Sequence, residues 1–315
     1  MKKLICLFLI LILLLTTAGC GSLGEKDERI QVICTVFPQY DWARNIIGEN
    51  TDRINLTLLM DNGADLHNYQ ASVADLAAIA ACDLFIYIGG GSDEWAEDAL
   101  EAPANPNRKT LALLSTIEPI CADHDHDHDH EEEHHTEDYD EHLWLSLKNA
   151  EIGVQKIAAL LQEIDPDGKE TYAANAETYL KKITDLESQY ATAVAGAARK
   201  TLLFADRFPF TYLARDYGLT YYAAFSGCSA ETEASFATIS MLAQKTDELN
   251  LPAILVIETS DQSIAKTVIQ NSSNKEREIL VMDSLQSVTQ KRIEDGETYL
   301  SIMEKNLTIL KKALY

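Results

Sequence analysis

The sequence predicts an α/β protein made of two parallel-sheet α/β lobes joined by one long rigid helix. Two observations carry that expectation. Short apolar, β-branched runs alternate with stretches of helical spacing, first across residues 30–117 and again across 201–282. Strands that are apolar on both faces belong to parallel sheets covered by helices. Between the two sets, Tyr172, Ala176, Tyr179, Ile183, Leu186, Tyr190 and Ala193 recur at three- and four-residue steps, which is one face of a helix. The size agrees, since 315 residues with 46% apolar and 24% charged side chains suit two ordinary domains.

In chain order, Lys2 and Lys3 precede an unbroken apolar run of twelve residues from Leu4 to Leu15, followed by Thr16, Thr17, Ala18, Gly19 and Cys20. Twelve helical residues span about 18 Å against a hydrocarbon core of about 30 Å, so residues 1–19 are expected to be an export signal. The Thr-Ala-Gly-Cys end resembles the lipobox of bacterial lipoproteins, with Thr17 where leucine is more usual. That likeness implies lipidation of Cys20 and a flexible tether over residues 20–28. The first lobe, residues 29–166, draws strands from 30–36, 54–60, 84–88 and 110–117 and a helix from 73–81. After the Asp165-Pro166-Asp167-Gly168 break comes the linking helix, residues 167–196, which no proline interrupts. The second lobe, residues 197–315, draws strands from 201–205, 220–225, 253–257 and 279–282 and a helix from 234–249. A single helix bends less readily than crossing loops, so only small relative motions of the lobes are expected.

Twenty-six Lys and Arg against fifty Asp and Glu leave a net charge of −24. Such a field repels phosphate backbones and gathers cations. Nucleic acid is thereby excluded as a partner, and a cationic ligand is favoured. Cys34, Cys82, Cys121 and Cys228 form no CxxC pair, so a disulfide framework or thiolate zinc site is unsupported and pairing stays open.

All eight histidines fall between residues 67 and 142. His124, His126, His128, His130, His134 and His135 lie in an Asp/Glu-interleaved run, 123–135, with almost no apolar surface to bury. It is expected to be a disordered loop offering several weak, interchangeable sites for divalent metals. His130, Glu131 and His134 match H-E-x-x-H, the zinc-protease signature. That chemistry needs a docked helix, and no apolar stripe is present to dock one. His67 and His142 are different: each has an aspartate two residues upstream and an aromatic two downstream, and each adjoins an expected strand or helix. Asp206 and Asp283 follow strand-like runs of the second lobe, and ligands of open parallel sheets bind at the carboxyl ends of strands. Two imidazoles from one lobe and two carboxylates from the other are therefore expected to meet as a metal site in the inter-lobe cleft. The bland alternative for each aspartate is a helix N-cap.

These segments resemble the zinc- and manganese-binding lipoproteins of bacterial ABC-type metal uptake systems, the cluster A-I solute-binding proteins. The likeness spans the mature chain. Residues 65–69 are similar to that family's Asp-Pro-His-x-Tyr segment with Leu66 for proline, residues 140–150 to its Asp-Pro-His-x-Trp segment, and 84–95 to its strand, glycine and Glu-x-Trp pattern. The resemblance implies metal ligation by His67, His142 and Asp283. Eleven residues before Gly218, where the family carries a third ligand, this chain has Arg207, which is always protonated and cannot ligate. Asp206, water or a residue near Glu231 is left to complete the shell, with Arg207 expected to pair with an acidic residue such as Glu231. The histidine-rich insertion is similar to the zinc-specific branch.

The resulting expectation is a monomeric, exported receptor, lipid-anchored at the outer face of a bacterial cell membrane. It would capture Zn²⁺, with Mn²⁺ as the alternative, and deliver it to the transmembrane subunit of an ABC permease. No catalysis is required. An exported zinc metalloprotease and a metal-stabilised surface adhesin are the alternatives from other classes. Because imidazole binds metal only when neutral, capture should weaken as pH falls through the ordinary histidine range, about 6.5.

Overall fold

The computed structural model describes residues 27–101, 104–121, 139–225, 227 and 234–315. Cys20, the histidine-rich run with Glu131, Cys228 and Glu231 lie outside these residues. The first sheet comprises β1 (Ile30–Cys34), β2 (Ile54–Leu58), β3 (Leu84–Tyr87) and β4 (Lys109–Ala112), all parallel in the order β2-β1-β3-β4. It is wrapped by α1 (Phe37–Ile47), α2 (Val73–Ala81), α3 (Glu94–Glu101) and α4 (Leu147–Ile164). The run at 110–117 does not stay extended. Strand pairing ends at Ala112 and a 3-10 turn, Leu113–Thr116, takes over. The hydroxyls of Ser115 and Thr116 donate to the carbonyls of Ala112 and Leu113 at 2.7 Å, capturing acceptors that a ladder would otherwise use.

The linking helix is α5 (Lys169–Gly196), 28 residues and about 42 Å long. Its buried face is the series expected from sequence, Tyr172 through Ala193, with Val194 added. Three tyrosines on that face end in polar partners. Tyr172 donates to Asp165 Oδ2 at 2.6 Å, Tyr179 to Asp41 Oδ2 at 3.2 Å, and Tyr190 to the Met303 carbonyl at 2.7 Å. One helix is thus bonded to the first lobe near its start and to the second near its end.

The second lobe repeats the first. Strands β5 (Thr201–Arg207), β6 (Thr220–Phe225), β7 (Ala253–Ile257) and β8 (Glu278–Met282) run parallel in the order β6-β5-β7-β8. They pack with α6 (Thr211–Tyr217), α7 (Phe236–Glu248), α8 (Ser263–Asn271), α9 (Gln290–Glu294) and α10 (Tyr299–Leu314). The two strand orders correspond, and the carboxyl ends of the sheets meet at the cleft, where Arg207 at the end of β5 reaches Asp65 beyond β2. The cleft is stitched across at several points: Tyr212 Oη donates to the Asp140 carbonyl at 2.8 Å, Trp144 Nε1 to the Ser284 carbonyl at 2.9 Å, and Tyr299 Oη to the Trp144 carbonyl at 2.7 Å. Among the described residues, Cys34, Cys82 and Cys121 form no disulfide.

Candidate metal centre

His67 sits on a 3-10 turn, Leu66–Asn68, that follows β2. Leu66 is 1% exposed and anchors the turn in the core, while Asp65 Oδ1 accepts the His67 backbone N–H at 3.1 Å. His142 immediately precedes a second 3-10 turn, Leu143–Leu145, whose three side chains are all buried. Asp140 Oδ1 accepts its backbone N–H at 2.8 Å. Asp65 caps the first turn and His142 is itself the N-cap of the second, which has no side-chain cap, but in both an aspartate two residues upstream holds the histidine N–H. The imidazoles meet, with Nε2 of His67 3.3 Å from Nε2 of His142.

The far side of each ring fixes what faces the gap. His142 Nδ1 lies 2.7 Å from Asp140 Oδ1, an acceptor, so Nδ1 carries the proton and Nε2 the lone pair. Burial would raise the Asp140 carboxyl, but its pairing and hydrogen bonds with His142 hold it below the ordinary carboxylate range. His67 Nδ1 lies 2.7 Å from Ser92 Oγ and 3.5 Å from Glu141 Oε2. Behind His67, burial pushes the Asp93 carboxyl up to about 6, with Glu141 adding and the backbone amides of Ile88 and Gly89 opposing.

The second-lobe candidates are placed at strand ends but are engaged elsewhere. Asp206 lies within β5, where the register shifts between Phe204 and Arg207, and does not cap a helix. Its oxygens accept the backbone N–H groups of Arg207 at 2.8 Å and Ile257 at 3.4 Å. Asp283 follows β8; Oδ1 accepts the Leu285 N–H at 2.8 Å and Oδ2 accepts from Arg292 at 2.5 Å. The bond to Leu285 closes a turn in which that buried residue adopts a left-handed φ of 60°, costly for a branched side chain. Among the described residues no group of three or more His, Cys, Asp or Glu side chains is gathered for a metal. The histidine pair is brought together, and Asp206 and Asp283 are not drawn into one cluster with it.

Arg207 pairs with an acidic residue, as expected, while Glu231, the example the sequence offered, lies outside the described residues. Arg207 Nη1 lies 3.2 Å from Asp65 Oδ2 and its Nη2 donates to Thr259 Oγ1 at 3.4 Å, which places the end of β5 opposite the His67 turn. Asp65 therefore holds the His67 backbone with one oxygen and Arg207 of the other lobe with the second. Sequence reasoning also passed over Ser92, Glu141 and Glu258. Glu258, just beyond β7, accepts both the backbone N–H and the hydroxyl of Ser284 at 2.7 Å, fixing the residue next to Asp283. Burial pushes its carboxyl up to about 6, with Asp283 adding to the rise. The only available signal was position, a carboxylate one residue beyond an all-apolar strand. Just before His142, Cys121 and Tyr139 form an antiparallel bridge and Asp140 N–H donates to the Ile120 carbonyl at 2.8 Å.

Residues 32–313 match the model of the family described as zinc-uptake complex component A, periplasmic (ZnuA). The zinc-binding lipoprotein AdcA of Streptococcus pneumoniae is 31% identical over 99% of this chain and 61% of its own length. This chain thus spans about 61% of that relative. The high-affinity zinc uptake system protein ZnuA of Bacillus subtilis is 28% identical over 99% of this chain and 98% of its own. Among solved structures, the Zn(II)-bound ZnuA-like domain of S. pneumoniae AdcA superposes with a TM-score of 0.74 at 28% identity, covering 91% of this chain and 99% of that one. The metal-dependent lipoprotein YcdH of B. subtilis gives 0.76 at 25% identity, covering 91% and 100%.

Proposed function

The chain belongs to the ZnuA family of zinc-uptake complex components, and from that premise we propose that it is an extracytoplasmic receptor that captures Zn²⁺ and passes it to the permease of an ABC transporter. The observation that carries this reading is the histidine pair. Zinc binds imidazole nitrogen at about 2.0–2.1 Å, and two such bonds at the tetrahedral angle separate the nitrogens by about 3.3–3.4 Å. The Nε2 atoms stand 3.3 Å apart. Asp140 holds the His142 Nδ1–H, His67 Nδ1 lies beside the Ser92 hydroxyl, and the two Nε2 atoms face one another, so that one cation between them is bound by both rings in this reading. Imidazole donors favour zinc over manganese, which prefers oxygen.

His67 and His142 would ligate zinc directly. Asp283 is the next ligand in this reading, and the hydrogen bond from Trp144 to the Ser284 carbonyl ties its turn to the His142 turn. Asp206 is the second carboxylate, with water as the alternative. The acidic side chains at the strand ends, Asp65, Asp93, Asp140, Glu141, Glu258 and Asp283 among them, outnumber Arg207 and Arg292 and draw a dication inward. Residues 123–135, which precede His142 in the chain, would gather metal for the site. The histidine run serves the receptor and not peptide cleavage, and the protein is not an enzyme. A lipid on Cys20 would hold the monomer at the outer membrane face.

The test is the double variant His67→Ala/His142→Ala in calorimetry. Tight one-to-one zinc binding should vanish while the fold persists, and unchanged affinity overturns the cleft site.

A further inference from the structure

Glu141 is a carboxylate that the sequence gives no reason to bury, yet it is only 6% exposed. One oxygen is fully engaged, for Oε1 accepts the Ser92 backbone N–H at 2.7 Å, in the 3-10 turn Gly91–Asp93 after β3. The other is not. Oε2 is buried without a hydrogen-bond partner, and lies 3.5 Å from His67 Nδ1. Leaving a buried carboxylate oxygen unsatisfied is costly, so its persistence calls for a donor that reaches it in some working state. The local backbone is shaped around it. Gly90 has an ordinary φ of −106°, so its glycine is not needed for conformation. A Cβ there would stand 2.2 Å from Glu141 Oε1 and 2.7 Å from its carboxyl carbon, so only glycine leaves room for this carboxylate.

Resting on the zinc-receptor reading, we propose that Glu141 is a positioning residue for zinc capture. Its carboxylate and the Ser92 hydroxyl share the Nδ1 proton of His67, so that Nε2 faces His142 as a lone pair. Ser92 Oγ, 2.7 Å from Nδ1, takes the proton in the metal-free protein. A hydroxyl is a weak orienter, because it donates as readily as it accepts and so tolerates either imidazole tautomer. A carboxylate only accepts. Glu141 removes that ambiguity, and once zinc draws electron density from Nε2 the more acidic Nδ1–H gains most from the charged acceptor. The two histidines then have equivalent backing by different routes. Asp140 backs His142 from two residues upstream, while Asp65, the matching residue for His67, is occupied by Arg207 and leaves the imidazole to Glu141. The bland reading is that Glu141 merely braces the Ser92 turn, which would affect stability and nothing at His67.

The experiment uses the full mature chain, with Zn²⁺ titrated against a chromophoric chelator and ¹⁵N-histidine NMR on the metal-free protein at about pH 8, where ordinary imidazoles are neutral. His67 in the parent protein should be protonated on Nδ1. Glu141→Gln should weaken zinc about 10- to 100-fold, the usual loss for an outer partner of a ligand, and move His67 toward the Nε2–H tautomer. Gly90→Ala, which displaces the carboxylate without removing it, should shift both readouts the same way. Wild-type affinity and tautomer in a folded Glu141→Gln protein overturns the proposal, as does an Nε2–H tautomer at His67 in the parent, a measurement that needs no variant to fold. A parent chain that binds no zinc would instead sink the receptor reading.

Discussion

Replacing Asp140 by Asn isolates the charge that orients His142. Oδ1 of Asp140 accepts the His142 backbone N–H at 2.8 Å and lies 2.7 Å from Nδ1. Both side chains are at most 4% exposed, so water cannot stand in for a lost partner. A hydrogen bond to a charged group contributes about 1.5–3 kcal/mol. At about 1.4 kcal/mol per factor of ten, that corresponds to zinc binding weakened about 10- to 100-fold. Asn keeps the volume, so packing changes little, but its amide has two different ends. With its oxygen toward Nδ1 the imidazole keeps its tautomer, and the loss sits at the lower end. With its NH₂ toward Nδ1 the ring must place its proton on Nε2, toward His67, and the loss reaches the upper end or beyond. Competition titration of Zn²⁺ against a chelator measures the affinity, and circular dichroism checks the fold. A folded Asp140→Asn protein that holds zinc as tightly as the parent refutes the assignment of Asp140 as the orienting charge.

Removing residues 123–135 should reduce the total zinc bound per chain while leaving the tightest site, counted by elemental analysis after dialysis; loss of the tight site would make that segment the receptor. Gly153→Ala should destabilise the protein by about 1–3 kcal/mol, because the new Cβ would stand 2.7 Å from Cζ3 of fully buried Trp42; an unchanged urea midpoint would show that the Trp42 pocket yields. The hydrogen bonds from Arg53, with those from Tyr172, hold the Asp165 carboxyl down at about 2 against an ordinary 3.8. A depressed acid stabilises the fold above its unfolded value and loses that contribution as pH falls toward the folded one. Arg53 is 38% exposed, so screening limits the gain to about 1–2 kcal/mol. The stability gap between the parent and Arg53→Met should therefore narrow between about pH 6 and pH 2.5 in urea titrations, and a constant gap contradicts the pairing.

The long helix was readable because its information is local. Seven residues at helical spacing became the buried face of α5, and their chemistry alone decides which side leaves water. The strands were readable for the same reason, their side chains being apolar on both faces. Reading failed where a residue had two local options. At 110–117 the hydroxyls of Ser115 and Thr116 tipped an apolar run out of the sheet, a competition that hydrophobicity does not register.

For the site, the histidines were legible and their surroundings were not. His67 and His142 stand out in sequence by matched flanks, Asp two before and an aromatic two after. Those flanks predict equal environments, and the folded chain makes them unequal. Arg207, 142 residues from Asp65, takes one aspartate oxygen, so the His67 imidazole turns to Ser92 and Glu141. Asp283 and Asp206 were found by position after strands, but their engagements with Arg292 and with backbone amides depend on which loops meet at the cleft.

By itself, the sequence determined the two α/β lobes, the helix between them and the two histidines set apart by matched flanks, since periodicity, apolar runs and residue chemistry act within a few neighbours. Only the tertiary structure decided that the two Nε2 atoms meet at 3.3 Å, which groups stand beside each Nδ1, and that Arg207 closes on Asp65. Hydrogen bonds and charges compete over ångströms, and that competition is settled only when distant segments are packed side by side.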